Sequence, residues 1–296
     1  MEERYPAGMD FFEVRRGSLR LIHGEHLTFD LAESYLAELG GQLAPLSSSP
    51  PTPRCLDGPG GPMLVKQGRG SAGRRLARGL SRAPSRSLAA FRMGSILQAS
   101  GVPTPRPLAA IELCGGPFGT VVSADLLLTE WIDGPDLSQA LPRATAAEHA
   151  RLLSTAARSI ALMHIAGCRH RDLKAANLLN LQADSAVLIA DLDGARACRG
   201  GPSHRQRLRD LARFMTSLEV MEVEQRLDGV AESKTKGLAG DCGGGEQHRR
   251  AFLRHYFDQC PDLAGNDGLR QRWQVRATAW MRSKISRNQR RGQRLS

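Results

Sequence analysis

Two short clusters in the middle of the chain carry the residue types that could do chemistry. The first reads His170-Arg171-Asp172-Leu173-Lys174-Ala175-Ala176-Asn177, and the second Leu188-Ile189-Ala190-Asp191-Leu192-Asp193. Asp172 is a carboxylate that could take a proton from an attacking hydroxyl. Asn177, five residues on, can offer an amide oxygen to a hard cation, and Asp191, fourteen residues further, a carboxylate oxygen. Lys174 lies two residues past the candidate base, within reach of a group that develops negative charge. A base, two hard-oxygen ligands and a cation are the parts that phosphoryl transfer from a nucleoside triphosphate requires. The apolar run before Asp191 reads as a buried strand, and the intervening chain is long enough for a hairpin that returns Asp191 to the side of Asn177.

Those parts need scaffolding, and the composition allows it. The 296 residues are 41% hydrophobic and 24% charged, enough for a buried core in one large or two small domains. No repeat period recurs, and no apolar run approaches the ~18 residues of a membrane span. The acidic, non-apolar start, Met-Glu-Glu-Arg-Tyr-Pro, is unlike a secretory signal. Six scattered cysteines form no CxxC pair and read as reduced thiols. These features together point to the cytoplasm.

The charge is uneven. Lys plus Arg is 41 against 30 acids, a formal +11, yet only five of the 41 are lysines: Lys66, Lys174, Lys234, Lys236 and Lys284. In an arginine-biased chain, a lysine at a special position carries weight. From Gln67 to Ile111 there are eight arginines and no acid, and the last sixteen residues add six more basic residues. Such a balance suits anionic partners, or else forms solvated faces.

Pattern and punctuation give the elements. Short apolar runs such as Val14 to Ile22 read as strands with a short helix in the first forty residues, and Gly40 to Pro62 as proline-rich loop or a wide hairpin connection. Met63 to Lys66 is strand-like. Ser87 can cap a helix that Gly101 stops. Thr120 to Trp131 reads as a strand entering the turn Asp133-Gly134-Pro135. Thr145-Ala-Ala-Glu148 is a capping box for a helix closed by Gly167. Ala186 to Ala190 reads as a strand, Arg205 to Leu218 as a helix and Gly237 to Gly245 as a loop. Leu269, Trp273, Ala277, Trp280 and Met281 mark one face of a basic final helix. The sum is an α+β chain, strand-rich first and helix-rich second, with a small β-rich N-lobe over residues 1–130 and a helical C-lobe over residues 131–296.

The two clusters match the HRDLKxxN signature and the metal-binding Asp motif of the protein-kinase-like fold. Within that superfamily the chain resembles the lipopolysaccharide core kinases, which phosphorylate Kdo or heptose. The likeness runs through Leu97-Gln-Ala-Ser-Gly-Val-Pro-Thr-Pro-Arg-Pro107, Leu128-Thr-Glu-Trp-Ile-Asp-Gly-Pro-Asp-Leu137 and Met163 to Leu173. It continues through Asp191-Leu192-Asp193, an Arg/Asp/Leu helix over Arg205 to Arg213, and Phe252-Leu-Arg-His-Tyr256. It spans about Met63 to Tyr256. The resemblance implies a two-lobed kinase fold with ATP and Mg²⁺ as cofactors. Asp172 becomes the base, with Lys174 beside the transferring group. Asn177 and Asp191 become the metal ligands, Lys66 the grip on the α- and β-phosphates, and Glu130, Trp131 and Ile132 the adenine-reading hinge.

Two positions depart from the pattern. The helix glutamate that pairs with the strand lysine falls near Ala90, where no acid stands; an acid from the first forty residues is one replacement. No GxGxxG loop precedes Lys66, only Gly58, Gly60 and Gly61. The expected acceptor is an anionic sugar or glycolipid, with the basic tail, Trp273 and Trp280 lying on the anionic inner-membrane surface or Trp273 and Trp280 facing the core. The alternatives are a protein or other small-alcohol acceptor, a nucleotide-binding pseudokinase, and a nucleic-acid binder. The last is disfavoured because the Gln67–Ile111 stretch holds a single aromatic, Phe91.

Overall fold

The computed structural model describes residues 10–25, 27–40, 53–58, 61–68, 84–115, 121–181, 186–233 and 244–290. Gly60, Cys242, most of the arginine-rich run, most of the 40–62 and 237–245 loops and the end of the basic tail lie outside them. The chain separates into two compact units, residues 1–100 with 104–132, and residues 101–103 with 133–296.

Unit 1 is built on an antiparallel sheet of six strands: β1 (Phe11–Arg16), β2 (Leu19–Gly24), β3 (Arg54–Gly58), β4 (Gly61–Gln67), β5 (Pro107–Gly115) and β6 (Val121–Glu130). Their spatial order is β1-β2-β5-β6-β4-β3. Gly17, at φ 60°, turns the first hairpin where a side chain would be strained. Helix α1 (Phe29–Gly40) packs Ala32, Tyr35, Leu36 and Leu39 on one sheet face, against Leu21, Val65, Ile111 and Leu128. Helix α2 (Arg86–Ala99) packs on β5 and β6. It buries Leu88, Phe91 and Leu97, and the Phe91 ring meets Phe11 edge-on at 5.5 Å. Each such side chain removed from water stabilises by about 1.5–3 kcal/mol.

The first forty residues therefore hold a full three-turn helix, and the proline-rich stretch contains a strand, β3. The cap of α2 is Ser85, whose hydroxyl accepts from the Leu88 amide at 3.0 Å, two residues before the expected Ser87. Ser87 is instead buried in the first turn. Gly101, at φ 70°, ends the helix as its sequence position suggests.

Unit 2 is mostly helical: α3 (Leu137–Ala140), α4 (Ala146–Ile165), α5 (His204–Ser233), α6 (Gly244–Gln259) and α7 (Asp267–Arg290). Four short strands make two ladders, β7 (Cys168–Arg169) with β10 (Arg196–Ala197), and β8 (Leu178–Leu181) with β9 (Ala186–Ile189). The capping box forms: the Glu148 amide donates to Thr145 Oγ1 at 3.3 Å, and Thr145 N donates to the Glu148 carboxylate at 2.9 Å. Helix α4 packs on α6 and β9, and α5 on α7. Helix α5 runs fifteen residues past Leu218, a stretch rich in Glu, Met, Gln and Leu, good helix formers, that carries it through Gly229.

Trp273 is 1% exposed and lies in this core beside Phe257, with the Arg207 guanidinium 5.0 Å from its ring centre. It does not face outward toward a surface. Trp280 is half-buried under Arg209, at 5.4 Å. Among the described residues, no helix is long and apolar enough to cross a membrane. The five described cysteines are free, and burial pushes the Cys168 thiol up to about 11, far from a reactive thiolate.

Candidate active site

The first cluster leaves β7 as a loop that α5 holds by its backbone. Asp210 of α5, 1% exposed, accepts the His170 amide at 2.9 Å and the Arg171 amide at 3.1 Å. Ser217, two turns on, accepts the Ala175 amide at 2.9 Å. The fully buried Leu173 pins the loop between them. The His170 ring joins the two clusters. Its Nδ1 accepts from the Asp172 amide at 3.3 Å, which puts the proton on Nε2, and Nε2 donates to the Ala190 carbonyl at 2.8 Å.

Arg171 (φ 71°) and Asp191 (φ 57°) are the non-glycine residues with positive φ among those described. Left-handed backbone in a residue with a Cβ costs about 1–3 kcal/mol and collects where function over-determines the chain. Here the strain lies beside the candidate base and at the candidate metal ligand.

The β8–β9 hairpin closes as a register of four pairs, from Leu181 with Ala186 to Leu178 with Ile189. One step beyond, the Ala190 amide donates to the Asn177 carbonyl at 2.9 Å. Asn177 therefore stands opposite Ala190, and Asp191 is the next residue. Ser159 of α4 donates to the Val187 carbonyl at 2.7 Å, and the Ile189 amide donates to Pro103 at 2.9 Å. The Asn177 side chain, 6% exposed, donates its Nδ2 to the Asp172 carbonyl at 2.8 Å. That bond fixes the amide orientation and leaves Oδ1 as the acceptor. Asp172 and Asp191 are exposed and Lys174 is half-buried. Asp172, Lys174, Asn177 and Asp191 thus come from one loop and one hairpin.

A carboxylate and an amide oxygen at adjacent positions fit a hard divalent cation such as Mg²⁺, which takes one or two protein oxygens and fills its sphere with phosphate and water. Among the described residues no group of three or more His, Cys, Asp or Glu side chains is placed to hold a softer metal.

Behind the loop, Arg207 Nε donates to the Tyr256 hydroxyl at 2.8 Å, and Tyr256 is 2.8 Å from His164 Nδ1. His164 Nε2 faces Asp210 at 3.6 Å. Burial keeps His164 below its ordinary pKa, so it is neutral near pH 7. Burial alone would push the Asp210 carboxyl up, but the imidazole, the His170 amide and Arg213 hold it below the usual range.

In unit 1, Lys66 pairs across to Leu127, in line with Ala110 and Ile22, on the sheet face away from α1. Helix α2 packs over that face and contains no carboxylate. It is tied down differently: Asp125 of β6, 6% exposed, accepts the Ser87 amide at 2.9 Å, while the Gly68 amide donates to the Asp125 carbonyl at 2.8 Å. A Cβ on Gly68 would lie 2.1 Å from Asp125 Oδ2. By strand parity Asp125 shares the Lys66 face.

Three described acids of the first forty residues lie away from Lys66. Glu33 and Glu38 belong to α1, on the opposite face. Glu13 of β1 is four strands from β4, roughly 19 Å at about 4.8 Å per strand, and it contacts Arg15 and Arg20. What this segment does contribute is Arg20, whose Nε donates to the buried Glu112 at 2.9 Å across the β2–β5 register.

The 130–132 segment is partly spent within unit 1. The Glu130 amide donates to Arg106 O at 2.9 Å and the Trp131 amide to Pro62 O at 3.1 Å; Glu130 Oε1 accepts from Arg106 N at 2.7 Å. Trp131 is 40% exposed.

The residues that sequence reasoning missed are Asp210, Ser217 and Asp125. Asp210 carried a signal, as the lone acid in the arginine- and leucine-rich stretch from Arg205 to Leu218. Asp125 is a charge just ahead of the apolar run Leu126 to Leu128 of its strand. Ser217 carried none.

Among curated proteins, none matches this chain. A solved structure described as WaaP in complex with acyl carrier protein is similar at 22% sequence identity, covering 82% of this chain and 91% of that chain with a TM-score of 0.48. The model of the lipopolysaccharide kinase (Kdo/WaaP) family matches residues 65–235, more than half of the chain and every segment of the clusters above. The chain belongs to the lipopolysaccharide kinase (Kdo/WaaP) family.

Proposed function

We propose that this kinase uses ATP and Mg²⁺ to phosphorylate a sugar hydroxyl, of Kdo or heptose, in the lipopolysaccharide inner core. The observation that carries the reading is the closure of the β8–β9 hairpin, which sets Asp191 one residue from the position facing Asn177, with Asn177 tied to Asp172. Asp172 accepts the hydroxyl proton as the acceptor oxygen bonds to the γ-phosphorus. The bond to the bridging oxygen breaks and ADP leaves with that oxygen. Lys174 offsets charge on the transferring group. Asn177 Oδ1 and the Asp191 carboxylate would hold the cation, which when bound orients the phosphates and offsets their charge. Lys66, from unit 1, grips the α- and β-phosphates. Because the Glu130 and Trp131 amides are spent, adenine is read by the Ile132 backbone and the carbonyls of the segment. Asp125, which accepts the Ser87 amide, holds α2 over the Lys66 face.

The peripheral contact with an anionic membrane surface rests on the exposed arginines of α7, which carries no acid after Asp267. The test is a transfer assay with labelled ATP, Mg²⁺ and a panel of Kdo- and heptose-bearing acceptors. Phosphorylated sugar is the expected product. Label appearing only on protein or on unrelated alcohols would overturn the acceptor, and none anywhere would overturn the reaction.

A further inference from the structure

Helices α5 and α7 run side by side in a fixed register. His204 meets Trp273 at 5.0 Å between ring centres, and Arg209 lies over Trp280 at 5.4 Å. One turn on, the same register sets Arg213 of α5 level with Lys284 of α7. The next turn of α5 carries Ser217, which holds the Ala175 amide of the catalytic loop. The stretch of α5 that anchors the loop is therefore the stretch α7 runs beside. Met281, 4% exposed, packs α7 in place, and Lys284 follows it by three residues on the same side.

The result is an excess of positive charge at the candidate base. Lys284, half-buried, lies within electrostatic reach of Asp172, Lys174, Arg213 and Arg287. Of these, Arg213 is paired with Asp210 at 3.2 Å. Among the described residues, Lys174, Lys284 and Arg287 make no ion pair. Gathering cations around one exposed carboxylate opposes folding through their repulsion, and a half-buried ammonium has already lost part of its hydration. Burial and the nearby guanidinium hold the Lys284 ammonium below its ordinary pKa, consistent with that crowding. Such a group gains most when an anion arrives.

Resting on the kinase reading above, we propose that Lys284 and Arg287 of α7, with Lys174 and Arg213, form an anion subsite on the acceptor side of Asp172. Its ligand is the carboxylate or phosphate carried by the acceptor sugar beside the hydroxyl to be phosphorylated. The final helix thereby selects acidic sugars over neutral ones and sets the distance between the bound anion and the base.

The experiment uses the full chain with its five lysines ¹³C-methylated, the Lys284 resonance being assigned with Lys284→Arg. Kdo, its neutral methyl ester, inorganic phosphate and ATP–Mg²⁺ are titrated separately. The Lys284 signal is expected to move with Kdo or phosphate, whichever moves it identifying the group recognised, and to stay with the ester. In transfer assays Lys284→Met and Arg287→Gln are expected to raise the KM for an acidic acceptor about tenfold, with the KM for ATP within about twofold of wild type. Arg254→Gln, an equal charge change on the exposed side of α6, is expected to leave both constants alone. A Lys284 signal that moves only with ATP–Mg²⁺, equally with the ester, or with nothing overturns the subsite. If the signal responds to acid sugar but wild type transfers no phosphate, the subsite stands and the kinase reading falls. Transfer by wild type with unaltered constants in both variants overturns the subsite alone.

Discussion

Asn177 Nδ2 donates to the backbone carbonyl of Asp172 at 2.8 Å, so the candidate metal ligand and the candidate base are braced by one bond. Two separable losses follow when it is removed. Asn177→Ala deletes both the brace and the Oδ1 ligand. Activity is expected to fall by about two orders of magnitude, and the Mg²⁺ concentration for half-maximal rate to rise. Asn177→Asp keeps an oxygen for the cation and loses the donor, so its rate should fall with a smaller change in Mg²⁺ demand. Mg²⁺ titrations of the three proteins check this; identical Mg²⁺ curves would remove Asn177 from the metal site.

Asp125 and Gly68 are coupled in the same sense. Asp125→Ala leaves the Ser87 amide without its charged acceptor and is expected to cost about 1–3 kcal/mol in urea unfolding. Gly68→Ala drives a Cβ into the Asp125 carboxylate, which at 2.1 Å has no room for it. In the double variant that clash has nothing to strike. The two costs are therefore expected to be less than additive by at least about 1 kcal/mol. Strict additivity would show that Asp125 does not lean over Gly68.

A histidine pair away from the loop predicts a pH slope. Burial, and secondarily His248, lowers the His149 pKa from 6.5 to about 4, and the two rings lie 4.0 Å apart. The folded chain then resists a proton that the unfolded chain takes up readily. Stability is full above about pH 6.5 and falls as pH drops toward about 4. The buried His164 acts in the same direction. His149→Gln should flatten part of this slope in melting temperature against pH, and an unaltered slope would place His149 outside the titrating set.

Asp210 acts on the reaction through the loop. Asp210→Asn replaces an acceptor oxygen by a donor facing an amide, so one of the bonds to His170 and Arg171 is lost. The expected result is a kcat lower by about tenfold or more with the KM for ATP nearly constant. A shift confined to KM would contradict a role in aligning Asp172.

Much of this was legible because local rules and tertiary structure agreed. The Thr145–Glu148 box, Gly101 and Gly167 bound their helices as their chemistry dictates, and the spacing of Asn177 and Asp191 admitted the hairpin that forms. What was hidden is tertiary. Nothing local in Ser217 or Lys284 says that each ends beside the catalytic loop, since both placements depend on where α5 and α7 pack. Ser87 looked like a cap by residue type, yet Ser85 takes that role and the Ser87 amide is claimed by a carboxylate 38 residues away. The absence of a helix glutamate was visible, but that β6 puts an acid, Asp125, on the Lys66 face was not, because strand parity rather than chain proximity decides which charges share a face.

The measurement that bears most directly on the central claim compares Asp172→Asn with wild type in ATP- and Mg²⁺-supported transfer to a Kdo- or heptose-bearing acceptor. The variant keeps the shape of the side chain and loses the base. Its kcat is predicted to fall by about 10²–10⁴ with its fold intact by circular dichroism. A folded variant that transfers phosphate at the wild-type rate would contradict the account.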